Sequence, residues 1–115
     1  GKKAEGLKYY KKALYNTKDV EIATKAAYRL GNIYLKEGKA DEAEYYLKKV
    51  VEGNPTYFKR NLQKNYKLAK DLAFFKKKKL AANITDIILQ GIDPYDEDNY
   101  EKMLKDLAVW LDEAG

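Results

Sequence analysis

The sequence predicts an all-α protein built of short helix hairpins, and three observations carry that prediction. Ala, Leu, Lys, Glu and Tyr dominate the 115 residues, and the first four of these favour helix. Only two prolines interrupt the chain, and no segment alternates apolar and polar residues with period two, as a half-buried strand would. Apolar residues instead recur at steps of three and four, in stretches separated by Gly or Pro breaks. With 45% hydrophobic and 36% charged residues, the composition is too apolar for intrinsic disorder. The length suits one domain with a modest core.

The elements follow in order. The first helix is expected within residues 1–18. Its opening stretch, GKKAEGLKYYKK, aligns without gaps under GKADEAEYYLKK, 37 residues later. Gly, Lys, Glu, Tyr, Lys and Lys coincide, the mark of an internal repeat. Residues 24–57 are the clearest unit: TKAAYRLGNIYLKEGKADEAEYYLKKVVEGNPTY. In its first helix Ala23, Ala27, Leu30, Gly31 and Tyr34 share one face. Gly31 costs about 1 kcal/mol against Ala inside a helix, which predicts close approach of a neighbouring helix. Gly38 can end that helix in the left-handed conformation. Asp41 and Glu42 suit the start of the next helix, where the dipole favours acidic groups. Ala43, Leu47 and Val50 form that helix's inward stripe, and Gly53-Asn54-Pro55 stops it.

Here the residues resemble the tetratricopeptide repeat (TPR) family. The family pattern W-x2-L-G-x2-Y, then A-x3-F, then P is met by Leu30, Gly31, Tyr34, Ala43 and Pro55. Ala27 and Leu47 stand where the family has bulky aromatics. The resemblance implies an α-α superhelix of helix hairpins. Within it, residues 1–18 make a half repeat, 24–57 a full repeat, 63–96 a degenerate repeat and 97–114 a capping helix. The whole reads as the C-terminal part of a longer array. The wording of the central repeat is similar to bacterial TPR proteins, which occur in the cytoplasm and in the cell envelope.

Counted back from Pro94, the degenerate unit places Lys70 at the Gly31 position, Ala82 at the Ala43 position and Asp86 at the Leu47 position. No glycine marks its turn. Lys76–Lys79 stand there instead, which leaves residues 58–91 open to being two helices or one. The stripe Leu80, Ile84, Ile87, Ile88 is amphipathic in either case. In the terminal helix, Asp96 or Asp98 can act as N-cap. Tyr100, Met103, Leu104, Leu107, Ala108 and Leu111 form its apolar face, with Trp110 at one edge. An end helix covers the last open face of a repeat array.

Charge is unevenly placed. Residues 1–92 carry 21 basic and 10 acidic groups, and residues 93–115 carry 2 basic and 8 acidic, so a +11 body precedes a −6 end. There is no cysteine and no histidine. Disulfides and Cys- or His-ligated metals are therefore excluded, and the commonest catalytic bases and nucleophiles are missing. The sequence implies no enzyme, no cofactor and no metal. The acidic run Asp93–Asn99 lacks the Gly and the distant Glu of a calcium loop, so its carboxylates read as helix-start groups. Lys76–Lys79 beside Phe74 and Phe75 could meet a nucleic acid strand. The plainer reading is a solvated turn with two core phenylalanines. No run approaches the roughly 18 apolar residues of a membrane span.

In the TPR family the first helix of each repeat lines a concave groove for a peptide or partner helix. The resemblance assigns Lys25, Tyr28, Arg29, Asn32, Leu35 and Lys36 to that groove, with Lys64, Lys67, Asp71 and Phe74 from the degenerate unit. The set is mostly cationic and would suit an acidic protein or peptide, or a C-terminal carboxylate. The expected function is a non-catalytic protein-binding scaffold. A nucleic-acid-associated module and a self-association segment are the alternatives. Tyr9-Tyr10 and Tyr45-Tyr46 recur on matching helices, and one of each pair is expected to pack inward.

Overall fold

The computed structural model describes residues 2–93 and 95–114. The expected closing residue Pro94 lies outside them. Six α-helices are found among the described residues: α1 Lys2–Asn16, α2 Val20–Lys36, α3 Ala40–Gly53, α4 Leu62–Phe74, α5 Lys78–Gly91 and α6 Glu97–Ala114. A 3₁₀ turn, Pro55–Lys59, follows α3. No strand occurs among these residues, so the protein is all-α. Residues 1–55 and 56–115 form two compact units.

In the first unit, α2 packs against both α1 and α3. Asp19 caps α2, its carboxylate accepting from the Glu21 and Ile22 N–H groups at 2.8 and 3.2 Å. Gly31 meets the expectation of close approach. A Cβ built there would stand 2.6 Å from Leu47 Cδ2 on α3 and 3.2 Å from Cδ1. Leu30, Ala43 and Leu47 are fully buried, and the Tyr34 and Tyr46 rings stack 5.8 Å apart. Of the paired tyrosines, Tyr46 is buried while Tyr45 is exposed, and Tyr10 is half-buried while Tyr9 is exposed. The inward members are Tyr10 and Tyr46, 36 residues apart, not the pair that the 37-residue alignment superposes.

In the second unit, α5 packs against both α4 and α6. Residues 58–91 are thus two helices with a turn between them. Asn61 caps α4 by accepting from Lys64 N–H at 3.1 Å. The buried Asn65 donates from Nδ2 to the Phe58 carbonyl at 2.8 Å, which anchors the 3₁₀ turn. Asp96 precedes α6: its carbonyl accepts from Tyr100 N–H at 3.0 Å and its carboxylate from Asn99 Nδ2 at 3.0 Å.

The two interhelical turns are built alike. After α2, Lys39 N–H donates to the Tyr34 carbonyl at 2.9 Å and Gly38 N–H to Leu35 at 3.0 Å. After α4, Lys77 N–H donates to the Leu72 carbonyl at 2.8 Å and Lys76 N–H to Ala73 at 3.0 Å. Both are Schellman motifs, which close with a residue in the left-handed region. Gly38 takes φ 76° and Lys76 takes φ 67°. Matching the turns sets the hairpins 38 residues apart. By that register Ala69, Ala81 and Thr85 stand at the positions of Gly31, Ala43 and Leu47, one residue before those counted from Pro94. Burial agrees: Ala69, Ala81 and Thr85 are fully buried, and Lys70 and Asp86 are exposed. Among the described residues Thr85 Oγ1 has no hydrogen-bond partner.

Two further expectations are corrected. Phe74 is not a core residue but 81% exposed. The inward face of α6 consists of Met103 and Trp110, both buried, with Tyr100 and Leu107 half-buried. Leu104, Ala108 and Leu111 point to solvent. Helix α6 carries two apolar stripes, and the core takes the one that includes the large indole.

Candidate binding groove

On α2, the spacing of three and four residues brings Lys25, Arg29, Asn32 and Lys36 onto one face. Lys25, Arg29 and Lys36 are exposed and Asn32 is half-buried. Asn32 Nδ2 donates to the Tyr28 carbonyl at 2.8 Å, so part of its amide is already engaged. Tyr28 and Leu35 belong to the buried set instead, each 6% exposed.

In the second unit, α4 and α6 flank α5 and enclose an open groove of about 680 Å³. This lies within the size range of ligand sites. Lys64, Lys67 and Lys70 reach it from α4, because their spacing of three residues keeps them on neighbouring helical rows. Lys102 reaches it from α6. Leu62, Tyr66, Ile92 and Met103 supply the apolar lining. Gln63 and Asn99 add amides, and Asp96 is the single acidic group of the lining among the described residues. The rim is therefore cationic around an apolar floor.

The cations are held in different ways. Lys67 pairs with Asp71 at 3.2 Å, an exposed i,i+4 pair. Lys70 Nζ lies 4.7 Å from the Tyr66 ring centroid, a geometry in which the ring quadrupole attracts the ammonium. Tyr66 Oη donates a hydrogen bond to Asp106 Oδ2 and so ties α4 to α6 beneath the rim. Burial pushes the Tyr66 phenol well above its ordinary range, and the neighbouring Asp106 carboxylate adds to the rise. The phenol stays protonated and keeps donating.

Of the α4 residues named from the sequence, Lys64 and Lys67 line this groove. Asp71 lies outside it as the partner of Lys67, and Phe74 packs edge-on against Phe75 at 5.3 Å. Lys70, Tyr66, Lys102 and Met103 also line it, and the sequence did not assign these four to a groove. The step 64, 67, 70 was visible there, but Lys102 lies in a segment dominated by carboxylates and gave no signal. The lysine run is spread along the turn and the first turn of α5, where Lys78 pairs with Glu113 of α6.

Among the described residues no cluster of His, Cys, Asp or Glu is placed to hold a metal ion. No helix among the described residues is long and apolar enough to cross a membrane. Neither any family model nor any curated protein matches the chain.

Proposed function

We propose that this chain is a TPR-like helical-repeat scaffold, and that it binds a partner protein through an acidic segment seated in the α4/α6 groove, without chemistry. The observation that carries this reading is the groove itself: four lysines around a floor of Leu62, Tyr66, Ile92 and Met103. Such a site matches a short segment with an apolar anchor flanked by Asp or Glu. The ammonium groups meet carboxylates while the anchor side chain leaves water. Two features support the repeat character. Gly31 permits close α2–α3 approach, and the two hairpins share one turn type at a spacing of 38 residues.

The test is fluorescence polarisation with labelled synthetic peptides that carry one Leu or Phe anchor between either acidic or basic flanks. The acidic set is expected to bind, more weakly as salt rises. A rim cation facing a carboxylate contributes about 0.5–1 kcal/mol. Reversing Lys67 and Lys102 to Glu replaces attraction with repulsion and should weaken binding by tenfold or more. Equal binding of acidic and basic peptides, or indifference to the double reversal, refutes the assignment.

A further inference from the structure

The second apolar stripe of α6 has no cover. Leu104 is 43% exposed and Leu111 54% exposed, and the exposed Ala108 lies between them. The spacing of four and three residues makes this a seam of the kind that packs against another helix. Glu101 and Asp112 border it on one side, and both are exposed. Over its length α6 has six acidic residues against two lysines, a charge of −4.

Helix α1 has the opposite character. It carries five lysines against one glutamate, a charge of +4. It is also only half covered. From Ala4 to Asn16 no residue is fully buried, and Leu7, Tyr10 and Leu14 remain half-open. Lys11 turns towards α2, its Nζ 5.6 Å from the Tyr34 ring centroid, while Ala4, Lys8 and Lys12, spaced by four, are exposed along the open side, and the two lysines supply its cations.

We infer that the α6 seam docks against α1 of a second copy of this chain. The two helices complement each other in charge, and each has apolar area left in water. Neither helix is self-complementary: two α6 faces would bring carboxylates together, and two α1 faces would bring ammonium groups together. The contact therefore pairs α6 of one copy with α1 of another, not like helix with like. The groove lysines take no part.

Sedimentation equilibrium of the full chain between about 10 µM and 1 mM, the range of weak, small interfaces, tests this. The weight-average mass should rise with concentration above that of one chain, and fall with added salt. Leu104→Lys with Leu111→Lys should give a monomer, as should Lys8→Glu with Lys12→Glu. All four positions lie outside the core, and circular dichroism checks that both variants fold. Mixing the two monomeric variants should give a 1:1 complex and nothing larger, because each supplies the face that the other lacks. A chain carrying Glu101→Lys and Asp112→Lys together with Lys8→Glu and Lys12→Glu should associate again. A parent that stays monomeric over this range overturns the inference. So does a pair of variants that fails to combine, or a dimer that survives the α1 changes. Lys67→Glu with Lys102→Glu should leave the mass unchanged, which separates this inference from the groove assignment.

Discussion

Replacing Gly31 with Ala should destabilise the protein, although Ala is the better helix former. The substitution gains about 0.8–1 kcal/mol of helix propensity. Against this, the new methyl would lie 2.6 Å from Leu47 Cδ2 and 3.2 Å from Cδ1. Leu47 is fully buried, so it has no solvent-side position to turn into. Either its rotamer or the α2–α3 separation must change, and overpacking of this kind costs about 1–3 kcal/mol. The net loss is about 1 kcal/mol, and larger for Val, which has two more methyl groups to place. Gly6→Ala is the control. That glycine is also inside a helix, but a Cβ there meets nothing within 4 Å, so only the propensity gain of about 0.5–1 kcal/mol remains. In urea unfolding at a slope of about 1.5 kcal/mol per molar, the Gly31 variant should shift its midpoint down by about 0.7 M. The Gly6 variant should shift it up by about 0.5 M. Adding Leu47→Ala to the Gly31 variant should cost less than the sum of the two single losses, by about 1 kcal/mol. If Gly31→Ala raises the midpoint as Gly6→Ala does, the close-approach argument fails.

Lys76→Gly should stabilise by about 0.5–1 kcal/mol, since φ 67° suits glycine and strains other residues; an unchanged or lower thermal midpoint contradicts this. Thr85→Val removes a buried hydroxyl that has no partner among the described residues, and about 1 kcal/mol of added stability in urea is expected. Tyr66→Phe should cost about 1 kcal/mol near neutral pH through loss of the Asp106 hydrogen bond. The same residue sets a pH dependence. The unfolded chain releases the Tyr66 proton near its ordinary value of 10.0, while the fold holds it to higher pH. Above that value the unfolded state binds fewer protons, so stability falls as pH rises. The unfolding midpoint measured from pH 9 to 11 should therefore drop less steeply in Tyr66→Phe than in the parent.

The first hairpin was legible because its special backbone positions are filled by the residues that fit them best. Gly31 announces the close approach and Gly38 the left-handed turn, and Ala43 and Leu47 fall in step behind them. In the second hairpin Lys76 takes the left-handed conformation that glycine takes in the first. With no glycine to mark the turn, counting back from Pro94 shifted the unit by one residue. That slip put Asp86 where Thr85 is buried. Periodicity shows that a helix has an apolar stripe, but not which of two stripes the core accepts. Met103 with Trp110 and Leu104 with Leu111 have the same seven-residue spacing, and only packing distinguishes them. The groove was half legible for a related reason. Lys64 and Lys67 lie in one local run, whereas Lys102 joins them through tertiary placement on α6.

The attachment of α6 has a consequence for how the protein breathes. Tyr66 holds Asp106 and Lys78 holds Glu113, so the helix is fastened at two points two turns apart, to α4 and to α5. An opening that frees one point leaves the other engaged, and the helix is expected to lift as one cooperative unit instead of unzipping turn by turn. Amide exchange should then show a single opening free energy from Met103 to Leu111. Because α6 forms one wall of the groove, anything seated there binds only the closed state. Occupancy should slow exchange along that whole stretch together, so amide protection would reveal a ligand before its identity is known.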